Sequence, residues 1–268
     1  MQYTEGYLAF LDILGFSQYV NKEENGQATA DLFDFVKKLC WFFNTSPELH
    51  IQISFFSDTI IMTTNELDHL ILPIYIAESY LKKSLGLLFR GGIVYGKYYH
   101  KDGVTFGPAV VAGYELEKKA IYSRILIDEK IDNLKDNISY FVDIDGCTCF
   151  NPYGMFFMEI VESAPEGMVY PDNIEKELIE KFSKSRDELL LQIKKHKGSK
   201  VVDKYLWRIR AYNNVCNFVA NIPEGMVIYE DINYIMNQTL KEVVLPLIIS
   251  ENDILNEKTD VEKANDQL

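Results

Sequence analysis

Two aspartates stand out because each sits in an apolar, β-type run. Asp12 comes near the end of the run Tyr7 to Ile13, and Asp58 lies between Phe55-Phe56 and Ile60-Ile61. Burying a carboxylate is costly unless it is paired or bound to a metal ion. Two carboxylates form an oxygen-only donor set, which suits Mg²⁺ or Mn²⁺ bridging to phosphate oxygens. Gly15, just after Asp12, allows backbone N–H groups to approach an anion at a helix start. Spacing alone also admits a plainer reading, in which Asp12 caps the following helix and Asp58 is an ordinary hairpin-turn residue.

The elements that must position this pair follow from periodicity. Residues 7–13 are too short and apolar for a helix and predict a buried strand. Ala30, Phe33, Phe35, Val36, Leu39 and Phe43 recur at spacings that predict an amphipathic helix over 27–43. Residues 50–63 form two β-rich halves around Ser57-Asp58, a hairpin with Asp58 at or beside its turn. A second helix is expected over 68–86 with Gly86 as terminator, a strand over 88–99, and a turn at Lys101-Asp102-Gly103. Pro108 opens a helix to about Glu117 or Lys118, and strands follow over 121–127 and 140–144. In a β-α-β-β order the first strand and the hairpin lie in one sheet, so both carboxylates can meet at one sheet end. The βαββαβ core is the ferredoxin-like pattern of an α+β fold.

The later part of the chain is helical, with candidates over 173–196, 200–220 and 230–249. The expected organisation is an α+β domain over 1–160, a helical extension over 161–250 and a polar, disordered tail over 251–268. The chain has 268 residues, 47% of them hydrophobic, so a sizeable core can be buried. A net charge of −13 argues against binding extended nucleic acid or anionic membrane surfaces. Metal ions would supply the positive field that such a chain lacks. Cys40, Cys147, Cys149 and Cys216 match no zinc spacing and read as small apolar residues in a reducing cytosol. Without a signal-peptide pattern or a ~20-residue apolar span, a cytoplasmic location is expected.

The motifs together resemble class III nucleotidyl cyclases. Phe10 to Ser17 is similar to that family's first metal-binding motif, and Ser57-Asp58 falls where it carries a Gly-Asp hairpin. Phe89 to Gly96 resembles its Arg-x-Gly-Ile-x-x-Gly strand, and Phe106-Gly107 its Trp-Gly helix start. The closer resemblance is to the pyrimidine cyclases of bacterial Pycsar antiphage defence, through residues 9–16, 57–59, 90–96, 106–109, 114–117 and 122–125. That resemblance implies a class III cyclase core in a homodimer and two Mn²⁺ or Mg²⁺ ions on Asp12 and Asp58, with the Ile13 carbonyl as an extra ligand. It also implies production of cyclic UMP or cyclic CMP from UTP or CTP, and an effector protein that senses the product. Where adenylyl cyclases carry a base-selecting Lys and Asp, this chain has Ser54 and Val104; neither reproduces the purine contacts. Where the family carries a transition-state Asn and Arg, it has Val111 and Glu115.

The expected chemistry is intramolecular phosphoryl transfer by two-metal catalysis. The backbone of Leu14, Gly15 and Phe16 is expected to cradle the β- and γ-phosphates. Arg90, before two glycines in a strand, is a candidate contact to base or phosphate, or else an end-of-strand cation reaching solvent. Arg124 is a candidate source of missing positive charge, or else half of a surface ion pair. Lys118 and Lys119 read as a solvated helix end and the 204–213 stretch as helical packing. The rival readings are a cyclase-like domain that has lost catalysis and only binds a nucleotide or partner, a diguanylate-cyclase-like or polymerase-palm transferase, and a purely structural α+β module. The second needs a paired acidic hairpin motif that Ser57-Asp58-Thr59 does not supply.

Overall fold

A computed structural model describes residues 2–22, 26–131, 134, 140–154, 172–196, 199, 201–218 and 226–228. The boundary expected at 160, the helix expected over 230–249 and the tail over 251–268 lie outside the described residues.

The chain opens with β1 (Thr4–Leu14), the short α1 (Phe16–Val20) and α2 (Gly26–Thr45). Then come the hairpin β2 (Ile51–Phe56) and β3 (Thr59–Thr64), α3 (Asp68–Tyr80), and β4 (Leu88–Lys101) with its small partner β5 (Val104–Phe106). Helix α4 (Pro108–Lys119) leads to β6 (Ile125–Ile127), β7 (Phe141–Ile144) and β8 (Cys147–Phe150), and the described part closes with α5 (Asp172–Lys195) and α6 (Val201–Phe218). The sheet runs β2-β3-β1-β4-β6-β8-β7, with β5 paired to the far end of β4. The first four strands pair antiparallel with β1 between β3 and β4. That is the ferredoxin-like βαββαβ arrangement read from the sequence. Strand β6 joins β4 in parallel, as a strand returning through a crossover helix does.

Strand alternation explains how the layers form. Ala9, Leu11 and Ile13 bury one face of β1 in a cluster with Ile60, Met62, Phe89 and Ile93 from the sheet and Leu32, Val36, Leu70 and Ile74 from α2 and α3. Leu8 faces the other way and meets Val94, Tyr98 and Ala109 on the α4 side. Each fully buried side chain of this size contributes about 1.5–3 kcal/mol, so the two faces pin the register of β1. At the sheet edge, Asn44 Nδ2 donates to the Ile53 carbonyl at 3.0 Å and the Ile53 N–H donates to Asn44 Oδ1 at 2.6 Å. The amide thus replaces a missing strand neighbour and blunts an edge that would otherwise pair with another chain.

Helices α5 and α6 share one apolar cluster with Leu88, Leu126, Val142 and Cys149 of the sheet, through Phe182, Leu190, Trp207, Tyr212 and Val215. A buried ion pair fastens them further. Arg208 of α6 pairs with Glu78 of α3, their side chains only 5% and 7% exposed. Arg208 Nε also donates to Ser123 Oγ at 3.2 Å.

Two local differences from the expected elements have simple causes. The strand expected over 121–127 is regular only at 125–127, because Ser123 Oγ turns to donate to the Lys204 carbonyl at 2.6 Å and the Arg124 N–H folds back onto the Tyr122 carbonyl at 2.8 Å. Strands β5 and β8 are additions, each closing a tight hairpin whose turn places Asp102 or Asp145 at positive φ.

Candidate functional site

Asp12 stands two residues past Phe10 and four past Leu8, so its side chain leaves β1 on the α4 side of the sheet. Its partners in register are Thr59 on β3 and Arg90 on β4. The Ile13 N–H donates to the Asp58 carbonyl at 2.8 Å and carries the β1–β3 ladder into the hairpin turn. That bond holds Asp58 beside Asp12, with Ser57 before it at φ 57°. The structure therefore brings Asp12 and Asp58 together at one end of β1 and β3.

Arg90 lies opposite Asp12 and bridges two carboxylates. Its Nη2 is 3.2 Å from Asp12 Oδ2, and its Nε pairs with Glu117 of α4. Glu117 is 4% exposed. It reaches Arg90 because Ala109, Gly113 and Glu117, spaced by four, form the buried stripe of α4. Close packing of α4 on the sheet depends on Gly92, where an added Cβ would lie 2.7 Å from Leu116 Cβ. Lys204, in the first turn of α6, is half-buried and within electrostatic reach of both Asp12 and Arg90.

The electrostatics follow from burial and crowding. Burial raises the Asp12 carboxyl above its usual range, Arg90 opposes the rise, and the neighbouring Asp58 charge adds to it. Burial likewise raises Glu117, against the pull of Arg90. Lys204 is lowered by burial and by Arg90, with Asp12 opposing.

A divalent cation fits this donor set. Asp58 is half-buried and makes no side-chain hydrogen bond or ion pair among the described residues. It faces a second carboxylate, Asp12, which burial already raises and which the Asp58 charge raises further. No third His, Cys, Asp or Glu joins them in a metal-ligating group among the described residues. Two carboxylates suit Mg²⁺ or Mn²⁺, which keep water and substrate phosphate as their other ligands. Arg90, the present counter-ion of Asp12, would share or release that oxygen.

The other candidate residues fall as follows. Ile13 is buried, and its N–H is used by Asp58. Leu14 ends β1 opposite Leu88; Gly15 turns the chain at φ 84° with open space around it, and Phe16 starts α1. Helix α1 has only five residues, so free N–H groups rather than a dipole are what this turn offers an anion. Ser54 lies apart from the carboxylates on β2. Its Oγ shares a hydrogen bond with His100 Nε2 at 2.6 Å, and Thr63 Oγ1 holds His100 Nδ1 at 2.8 Å. Burial lowers His100 to about 4. Arg124 is buried at 8% exposure, packs over the Tyr122 ring and acts electrostatically on Cys149, so it is not the surface ion pair. Val111 is exposed on α4, as is Glu115, which pairs with Lys118 at 3.5 Å. Lys118 also lies 4.0 Å above the Tyr114 ring.

No family model matches the chain, and no curated protein matches it. Among solved structures, the chain is similar to the monomeric guanylyl cyclase domain of the RhoGC fusion protein from the aquatic fungus Blastocladiella emersonii, at 15% identity. That match covers 56% of this chain and 97% of that one, with a TM-score of 0.40. It is also similar to an adenylate/guanylate cyclase/hydrolase from Silicibacter pomeroyi, at 18% identity over 55% of this chain and 95% of that one, with a TM-score of 0.37. No helix among the described residues is long and apolar enough to cross a membrane.

Proposed function

We propose that the chain is a nucleotidyl cyclase that closes a pyrimidine nucleoside triphosphate, UTP or alternatively CTP, into its 3′,5′-cyclic monophosphate. The observation that carries this reading is the meeting of Asp12 and Asp58 at one sheet end, one of them without a partner. Such a pair is costly unless a cation neutralises it. The motif order Asp12, Ser57-Asp58, Arg90-Gly91-Gly92 and Phe106-Gly107 supports the same reading.

In the reaction, the ribose 3′-oxygen forms a bond to the α-phosphorus and the bond from that phosphorus to the β-phosphate oxygen breaks. Pyrophosphate leaves, and the 3′-hydroxyl proton passes to solvent. Divalent ions held by Asp12 and Asp58 would supply Lewis-acid activation and charge neutralisation. Asp12 and Asp58 fix where that charge sits. Arg90 and Glu117 orient the Asp12 carboxylate from the α4 side. The backbone N–H groups from Leu14 to Phe16 would cradle the phosphate chain, and Ser54, whose Oγ bonds His100 Nε2, would meet a base edge by exchanging that partner. A homodimer, an antiphage signalling role and a product-sensing effector belong to the proposal through the motif resemblance.

One observation favours a second reading, a cyclase-like binding domain without catalysis. Val111 and Glu115 leave α4 without the cation and amide expected to stabilise the transition state. Pyrophosphate release from UTP with Mn²⁺, compared with Asp12→Asn, separates the two. Metal-dependent release that Asp12→Asn abolishes supports the cyclase; binding without release supports the alternative.

A further inference from the structure

The site described above has a charge deficit. Arg90 is committed to Asp12 and Glu117, and Lys118 to Glu115 and the Tyr114 ring. Neither is free to meet a triphosphate without giving up a partner. Lys204 differs. It is half-buried, feels the charges of Asp12 and Arg90, and its ammonium makes no hydrogen bond or ion pair among the described residues. A cation so placed is stabilised fully only when an anion meets it.

Its backbone is fixed in a way that a merely solvated lysine does not need. Ser123 Oγ donates to the Lys204 carbonyl at 2.6 Å. Ser123 in turn accepts from Arg208 Nε at 3.2 Å, and Arg208 is locked by Glu78 of α3. The first turn of α6 is thereby tied to the loop before β6 and to the helix behind the sheet. Tyr205, Trp207 and Ile209 around it are buried.

We propose that Lys204 contacts a phosphoryl oxygen of the substrate triphosphate, so that the helical segment completes the site within the same chain. This rests on the reading that the Asp12–Asp58 site takes a nucleoside triphosphate. Lys204 takes over the charge that Val111 and Glu115 do not supply. Helix α6 shares an apolar cluster with Leu88, two residues before Arg90 on β4, and the Gly91 N–H donates to the Arg124 carbonyl at 3.0 Å, next to the Ser123 that holds Lys204.

The test uses the full chain and inorganic tripolyphosphate with Mg²⁺, read by titration calorimetry. Lys204→Met keeps the aliphatic stem, and Lys204→Arg keeps the charge. Lys184→Met, which removes a surface lysine paired with Glu180 at 2.9 Å, is the control for net charge. Loss of one charge-assisted contact predicts affinity weaker by about tenfold or more in Lys204→Met, with Lys204→Arg near wild type. Lys184→Met should match wild type. Unchanged affinity in Lys204→Met overturns the proposal. So does equal weakening in Lys204→Met and Lys204→Arg with unaltered Tm, because charge is then not the cause, and so does a wild-type protein that does not bind tripolyphosphate. Failure of the cyclase reading looks different: Lys204-dependent tripolyphosphate binding persists while no cyclic product forms, and the proposal stands.

Discussion

The sharpest stability prediction concerns Glu78 and Arg208, which join α3 to α6 beneath the site. Both side chains are nearly excluded from water, at 7% and 5% exposure. Substituting Glu78→Gln keeps volume and hydrogen-bonding atoms but removes the negative charge. Arg208 then retains only neutral partners, the amide oxygen at position 78, Ser123 Oγ at 3.2 Å and the Trp207 ring, whose centroid lies 5.7 Å away. A guanidinium left buried and unpaired costs about 3–5 kcal/mol. For a chain of this size each kcal/mol moves Tm by about 2–4 °C, so a fall of about 10 °C is expected. Replacing both residues, Glu78→Met with Arg208→Met, removes the two charges together and should recover most of the loss. Urea denaturation of the wild type, the two single Met variants and the double Met variant gives the coupling energy directly. A single substitution costing less than about 1 kcal/mol, or losses that add in the double variant, would refute the claim that this pair carries the α3–α6 connection.

Other expectations follow from the same geometry. His100 binds its proton near 6.5 when unfolded and near 4 when folded, so stability is full above pH 6.5 and falls as the pH drops towards 4. The loss should approach about 3 kcal/mol, and His100→Asn should flatten the pH profile; a slope that survives this change assigns it to other groups. Gly92→Val drives a side chain into Leu116 and pushes α4 away from β4, which should cost about 1–3 kcal/mol and loosen the Glu117–Arg90 pair. A thermal shift of less than 2 °C in that variant would contradict the close approach. Arg90→Met frees the Asp12 carboxylate of its counter-ion, so Mn²⁺ should bind more tightly, by up to about fivefold, the worth of a partly exposed ion pair of about 1 kcal/mol. Unchanged or weaker Mn²⁺ binding by calorimetry would show that Arg90 does not compete with the metal ion.

Much of the fold was legible because it is locally encoded. The period-two burial of β1, the β-rich halves around Ser57-Asp58 and the four-residue spacing of α2 each announce their element from a handful of residues. The sheet order then follows from a short list of allowed connections. Strands β5 and β8 were not legible, since each has three or four residues and depends on a turn with positive φ at Asp102 or Asp145. The site was legible only in part. Asp12 and Asp58 betray themselves by interrupting apolar runs. Glu117 had a signal, its place on the Ala109–Gly113 stripe, but an acidic residue near a helix end reads first as solvated. Lys204 and His100 carried none, because one is recruited by the docking of α6 and the other by Ser54 and Thr63 on neighbouring strands. Contacts made only after the layers assemble leave no local trace.

The central claim is that Asp12 and Asp58 hold divalent metal for intramolecular phosphoryl transfer. It is tested most directly by incubating the full chain with each of the four ribonucleoside triphosphates and Mn²⁺, beside Asp58→Ala, and reading products by mass spectrometry. The account predicts a 3′,5′-cyclic pyrimidine monophosphate and pyrophosphate in equal amounts, both absent from Asp58→Ala and from samples with chelator. A cyclic product that persists in Asp58→Ala, or nucleotide binding with no cyclic product from any triphosphate, would contradict it.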